Sequence, residues 1–596
     1  MKYPSLLIVL LLQSTLFFAS DYHYTLQWLA PNTHTYLVSL ETQPQTDSYT
    51  DFKIPAWRPG RYILQDYAAA ISHVEAYGST GRQLRWAKVD KDTWRVSHGK
   101  VGRIRISYRY YANNVDAGSS YVGGGQAYFN PINLFMYVDG RLDDPVRLEV
   151  PDLPKDWKVA TALQQTASTF SASSYHEFVD SPTVFASSMK QMDFQVDGVR
   201  FFLHFQGDYQ GDAQTDAAIL ENVEKICREQ AAIFGGFPFK SYHFIYRLLP
   251  YDMRHAVEHK FSSSYALPAR VTESPRAAIS GICGITSHEF WHVWNVKRIR
   301  PAALMPYNYS QAQYTSLHWF TEGVTDYYTQ LSQVRAGIIS EKEFLKRLGN
   351  TIESLENNYA ASVVSPSAAS FNSWLASSPY KHPNHQISYY TLGSRMGMAL
   401  DLALRSRSKG RVSLDDVFAY LYQAYDQEGL GVSENGVQAA MEKLSGLSWS
   451  TFFEDYIHGT QAMDYEALFE PFGLILEVNK KSNDGAKMLG INRYSNLSQG
   501  IVISGLHVKG DAFRSGLSEG DMILMINGTV ATNIDLDEYV NHLVKGSSIQ
   551  VKVFSDHQIK DLVVKYQGKN KPRKYSIKTS DKNNELRAAW LRSVVK

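Results

Sequence analysis

Cysteine is nearly absent: the 596 residues include only Cys227 and Cys283. A dense disulfide framework is therefore excluded, and stability has to come from packed cores. The two thiols read as buried side chains, with a single bridge between them as the alternative. Net charge is nearly absent too. Lys and Arg number 60 against 59 Asp and Glu, a formal +1, which gives no electrostatic ground for a nucleic-acid partner or an anionic membrane. The chain has no internal repeat and no long low-complexity linker. Its N-terminal apolar run, residues 6–18 (LLIVLLLQSTLFF) after Lys2, is shorter than the ~20 residues that span a bilayer. Residues 1–20 accordingly read as a secretory signal peptide, and the protein as exported, periplasmic or secreted, with no integral membrane domain. Cleavage after Ala19 or Ser20 would put Phe17 or Phe18 where a small residue is preferred, so an uncleaved N-terminal anchor stays as the alternative.

What the chain has in quantity is length and aromatic side chains, with 38 Tyr and 11 Trp. Its length exceeds what one hydrophobic core organises, so several domains are expected. Residues 21–200 carry short alternating segments broken by turns and read as an N-terminal β-sandwich. In residues 103–110 (RIRISYRY) a period of two puts Ile104, Ile106, Tyr108 and Tyr110 on one strand face. The period turns helical near residues 214–234 and stops at Gly235-Gly236. We assign 201–400 to a mainly helical catalytic domain and 401–475 to a helical extension, with Ser413 as an N-cap. Residues 476–566 form a β-rich C-terminal domain, and 567–596 a polar tail ending in a short apolar helix. The fold class is multidomain α+β.

The chemistry begins at residues 287–301 (SHEFWHVWNVKRIRP). On a helix His288 and His292 stand roughly 40° apart in azimuth and ~6 Å apart along the axis, so both imidazoles reach one ion. Glu289 sits beside that face, where it can take a proton from a metal-polarised water. The alternative is a pair of hydrogen-bonded core histidines. A catalytic zinc wants a third protein ligand, and Glu322 in WFTEGVTDYY offers one. Asp326, one turn on, is suited to accept the remaining ring N–H of a ligand histidine. His318 is the rival third ligand. Lys297, Arg298 and Arg300 read as cations at the negative end of the zinc helix rather than as an anion site.

Together HEFWHVWNVKRIRP, WFTEGVTDYY, IPAWRPGRYILQDY (residues 54–67) and YIHGTQAMDY (residues 456–465) make the chain resemble the glycyl aminopeptidases, which join a thermolysin-like zinc domain to a PDZ domain. The resemblance implies one zinc per chain on His288, His292 and Glu322, with Glu289 as general base. It matches HAVEH (residues 255–259) to a segment whose glutamate holds the substrate's free α-amine, nominating Glu258 for substrate binding, although the family's two glycines are missing here. It also nominates Tyr390, in a Tyr-Thr-Leu-Gly string, as hydrogen-bond donor to the developing oxyanion, with Tyr389 as competitor. GDMILMING (residues 520–528) looks like the most specific stretch of a PDZ domain, with residues 535–544 as groove helix and backbone N–H groups of residues 500–503 as carboxylate receptor.

The expected function is an exported zinc aminopeptidase acting on peptides with a free N-terminus and a small first residue, Gly or Ala. A peptide ligand of the PDZ groove is a further expected partner. The alternatives are an endopeptidase using the same zinc site, and a PDZ scaffold carrying an inactive peptidase fold.

Overall fold

The computed structural model describes residues 22–426, 429–479, 485–568, 572–580 and 584–595. The signal segment of residues 1–20 lies outside the described residues. Among them no helix is long and apolar enough to cross a membrane. The chain divides into two compact units. The first reaches Met189 but omits Pro59–Leu64, which packs with the second, Lys190–Lys596.

The first unit is β-rich, with a seven-stranded sheet and two four-stranded sheets. Strand Ile104–Tyr111 buries Ile104, Ile106, Tyr108 and Tyr110 on one face and runs antiparallel to both Thr35–Thr42 and Ile71–Gly78. The abundant tyrosine has a specific use here. Tyr22, Tyr24, Tyr108 and Tyr175 bury their rings and donate their hydroxyls to the carbonyls of Val138, Met136, Leu134 and Phe135. The carbonyls of residues 134–136, from the end of a short helix up to the two-residue strand Tyr137–Val138, are thereby satisfied inside the core.

The second unit opens with a five-stranded sheet, ordered Met189–Val196, Val199–Gly207, Ser241–Leu249, Ser262–Pro268 and His255–Glu258. A domain boundary at residue 200 thus falls inside strand Val199–Gly207. Alternation reads alike on both sides of it, and only tertiary packing separates the two units. Helix Ala213–Phe234, capped by Asp212 and ending at Gly235, covers the sheet together with the helices that follow. Cys227 and Cys283 are buried free thiols. Helix Leu414–Tyr425 starts at a capping box of Ser413 and Asp416.

A saturated ionic cluster holds the helical part together. Arg335 donates to both carboxylate oxygens of Asp415 (3.1 and 2.9 Å), and Arg405 reaches Asp415 and Asp401. The Asp401 carboxylate also accepts from the Tyr327 hydroxyl and from Leu414 N–H. Trp590, on helix Glu585–Leu591, donates its indole N–H to Tyr327 and its carbonyl accepts from Arg335.

The C-terminal domain has its own core, with Ile501, Ile503, Ile523, Val540 and Val553 at its centre. The expectation that backbone N–H groups of residues 500–503 receive a carboxylate is not met. Strand Gly500–Leu506 is central, paired with Ile491–Leu497 on one edge and Met522–Ile526 on the other, so those groups belong to the ladder. Among the described residues the strand at that border of the sheet is Ile491–Leu497. Within the polar tail lies a strand, Lys574–Thr579, which returns to pair antiparallel with Leu474–Asn479 from before the domain.

Candidate active site

Helix Gly284–Trp291 carries His288 and Glu289, and His292 closes it. There the chain tightens, and the His292 Nδ1–H donates to the carbonyl of Asn295 at 2.6 Å. This leaves Nε2 as the free donor atom of that ring. The Asn295 amide in turn reaches the carbonyl of Phe320 (3.0 Å), fixing the helix end to the segment that bears Glu322. Sequence reasoning passed over Asn295, although it is the one polar residue besides His292 within FWHVWNV, which was a signal for it. Arg298 donates to the carbonyl of Val293 at the helix end (2.6 Å).

Glu322 sits in a fully buried, π-helical segment, Trp319–Val324, an irregularity often found at functional sites. It is held against helix Tyr389–Arg407 by two facing glycines. A side chain on Gly323 would meet the carbonyl oxygen of Tyr389 at 2.7 Å, and one on Gly393 would strike the Trp319 carbonyl and the Cα of Gly323. Without Cβ atoms at both positions, the elements bearing Glu322 and Tyr390 could not lie this close.

The donor atoms converge. His288, His292 and Glu322 each offer a ligand atom within 4.8 Å of the others, a set able to hold a metal ion. His292 Nε2 lies 3.3 Å and His288 Nε2 3.7 Å from Glu322 Oε2, while His288 Nδ1 faces Asp326 at 2.9 Å. Burial works against ionising Glu322, but His292 and His288 outweigh it and hold its carboxyl well below the usual range. Burial likewise opposes charge on His288, and Asp326 and Glu322 override it and raise its pKa. The cluster is therefore built to accept positive charge, which a divalent cation supplies in place of imidazole protons. The remaining oxygen of Glu322, Oε1, is buried with no hydrogen-bond partner. Two imidazole nitrogens and a carboxylate, with both far ring nitrogens tied down, suit zinc.

Glu289 is buried, and desolvation pushes its carboxyl up to about 7; Glu258 and Glu322 add to the rise, and His288 and His292 oppose it. Glu258 ends the edge strand His255–Glu258, opposite Ser263 of the neighbouring strand. It is 4% exposed, and its Oε1 has no hydrogen-bond partner. Glu258, Glu289 and His292 also lie within 4.8 Å of one another by their donor atoms. The Tyr390 ring stacks at 6.1 Å from His288, and burial raises its phenol well above the ordinary value, so it stays a hydrogen-bond donor. Tyr389 faces His318 instead, at 5.5 Å. His318 is buried, its pKa lowered to about 4 by burial, and does not belong to the converging set.

Three family models match the chain: the Peptidase M61 N-terminal domain over residues 23–187, the M61 glycyl aminopeptidase over residues 282–396, and the PDZ domain over residues 470–554. The second spans His288, Glu289, His292, Glu322 and Tyr390. An aminopeptidase N family protein from Idiomarina loihiensis has a similar structure, with TM-score 0.86 at 24% identity over 96% of this chain and 100% of that one. An M1 zinc metallopeptidase from Deinococcus radiodurans, bound to a Tyr-Ser-Ala substrate, aligns with TM-score 0.45 at 14% identity over 74% of this chain and 94% of its own. No curated protein matches. By these matches the chain is similar to the M61 glycyl aminopeptidases over its N-terminal and catalytic parts, and it is a metallo-aminopeptidase.

Proposed function

We propose that this protein is an exported, single-zinc aminopeptidase that removes small first residues, Gly or Ala, from peptides with a free N-terminus. The observation that carries the reading is the closeness of Glu258 to Glu289 and His292, all three within 4.8 Å by their donor atoms. In an α-amino acyl group the amine nitrogen is only about 2.5 Å from the carbonyl carbon. A buried carboxylate this near the metal ligands therefore has room to hold the ammonium of the residue being released, and a chain continuing upstream would meet it instead. A buried carboxyl oxygen without a hydrogen-bond partner is costly, so Glu258 Oε1 favours a donor such as an ammonium group.

His288, His292 and Glu322 would hold the zinc, which when bound would supply Lewis-acid chemistry for the scissile carbonyl and the attacking water. Glu289 takes the proton of that water and returns it to the leaving amine. A carboxyl tuned towards neutrality performs both transfers near pH 7. The Tyr390 hydroxyl donates to the oxygen on which negative charge develops. Asp326, through His288 Nδ1, fixes the ring that presents Nε2 to the metal. The preference for small residues rests on the family, and export on the sequence of residues 1–20. A peptide ligand of the C-terminal domain would add to the Ile491–Leu497 edge.

The test is a matched pair of Ala-peptides, one with a free amine and one N-acetylated. Wild type should cleave the first and leave the second nearly untouched. Glu258→Ala should lose about 1.5–3 kcal/mol or more of transition-state stabilisation on the free peptide, the worth of a charge-assisted hydrogen bond. Efficient internal cleavage of acetylated peptides by wild type would decide for an endopeptidase, and zinc-loaded protein without turnover for the inactive scaffold.

A further inference from the structure

The stretch IPAWRPGRYILQDY carries the family resemblance, yet nothing in the mechanism above uses it. Its middle, Pro59–Leu64, packs with the catalytic unit although the residues on either side of it belong to the first unit. Two contacts define what it does there. Gly60 has φ +79°, and a Cβ at that position would lie 2.7 Å from Glu258 Oε1 and 2.9 Å from its carboxyl carbon, with Oε2 closer still. Two residues on, the buried Tyr62 ring packs on His318 with centroids 3.7 Å apart, at the start of the segment that bears Glu322.

We infer that Pro59–Leu64 is a strap that sets the position of the Glu258 carboxylate, with Gly60 as the positioning residue. The inference rests on Glu258 being the receptor for the substrate amine. Glu258 stands at the end of an edge strand with one oxygen lacking a partner, so its own sheet does little to fix its head group. The Gly60 backbone closes one side of that carboxylate at a distance no other residue allows. Tyr62 pins the same strap to the element carrying a metal ligand. The gap between amine receptor and metal is thus gauged by a three-residue span, Gly60 to Tyr62. Adding a Cβ forces the carboxylate to move by a sizeable fraction of an ångström, and displacements near 1 Å cost roughly 10²-fold in rate.

The experiment uses the full-length, zinc-loaded protein with the same free and acetylated Ala-peptides. Gly60→Ala is the main variant, because it adds the Cβ alone; Gly60→Asn accompanies it, because asparagine tolerates a left-handed backbone and so separates backbone strain from the added side chain. Both should keep wild-type zinc content. On the free peptide both should lower kcat/KM by roughly 10–10²-fold, and shrink the free-over-acetylated ratio in step. In a Glu258→Ala background the same changes at Gly60 should add less than about 3-fold, since the group they displace is gone. The strap is overturned if the Gly60 variants lose activity equally in both backgrounds, or lose it with the free-over-acetylated ratio intact. It is also overturned if they retain wild-type kinetics. A Glu258→Ala protein that keeps the full preference for free amines refutes the amine receptor itself, and the strap's role with it.

Discussion

Two clusters of charge, largely buried except at Asp326, lie along one stretch of chain. The first, His288, His292, Glu322 and Asp326, stands at the entrance to helix Thr325–Arg335, and the second, Arg335, Arg405, Asp401 and Asp415, gathers around its far end. They differ in how fully their atoms are partnered. In the second, both carboxylates accept at both oxygens, and Tyr327, Tyr328 and Trp590 complete the network. In and beside the first, Glu322 Oε1 and Glu258 Oε1 are buried without hydrogen-bond partners. Removing charge from water costs several kcal/mol per ion unless partners return it. A closed network of that kind serves the fold, and an open one is shaped for groups that arrive from outside, which under the proposed function are a metal ion and an ammonium.

The sharpest way to break this contrast is at Glu289. Glu289→Gln should lower turnover by up to roughly 10⁴-fold while metal analysis still finds one zinc per chain, and His292→Ala should lose both. If Glu289→Gln keeps near wild-type turnover, the open cluster has no claim to catalysis. Next in size is the closed cluster. Arg335→Met should strip the bidentate partner from Asp415, leaving it only Arg405 and Tyr328, and destabilise the protein by up to about 3–5 kcal/mol in urea unfolding, with KM of the folded enzyme unchanged. Tyr390→Phe should cut kcat by roughly 10²–10³-fold with little change in KM, whereas Tyr389→Phe stays within a few-fold. Exchange of those two outcomes would move the oxyanion donor to the ring that faces His318.

The smallest effect belongs to a third buried pair, which is neutral. His204 Nε2 and His243 Nδ1 lie 3.1 Å apart on neighbouring parallel strands, and Gln191 meets the other nitrogen of His204. Burial lowers His204 to about 4 and, together with His204, lowers His243 to about 3. An unfolded imidazole takes its proton near 6.5. Below that pH the unfolded chain binds more protons than the folded one, so stability is full above about 6.5 and declines as pH falls towards 4. Replacing both residues with Gln should flatten the decline, measured as the urea midpoint between pH 7 and 4.5.

What the sequence discloses and what it hides follow from range. His288, Glu289 and His292 are legible because their spacing is a property of one helix, and Ser413 because a cap is local. Glu322 and Asp326 are legible as chemistry, but the glycine pair 323 and 393 that brings their segment to Tyr390 is a meeting of distant elements with no local signature. The β-sandwich alternation reads correctly at Ile104–Tyr110, yet cannot tell which sheet Val199–Gly207 joins. Strand Lys574–Thr579 hides in a basic run because its partner strand lies a domain away, at Leu474–Asn479. The PDZ expectation fails at residues 500–503 for a related reason. A Gly-rich apolar string shows that backbone approaches backbone there, and gives no sign of whether the approaching strand is the protein's own.

That same pairing changes what kind of object the C-terminal domain is. Asn479, where the chain leaves for the domain, stands in register opposite Lys574, where it comes back. The domain is topologically an insertion into a hairpin of the peptidase, and its two attachment points are neighbours. This module is gripped at both its entry and its exit, and it is held along its flank as well, where the Asn384 amide donates to the Leu506 carbonyl (2.8 Å) and the Tyr359 ring lies 5.4 Å from His507. Its departure would leave two strand ends a short turn could join, and in that sense the peptidase is a finished protein into which a second has been spliced.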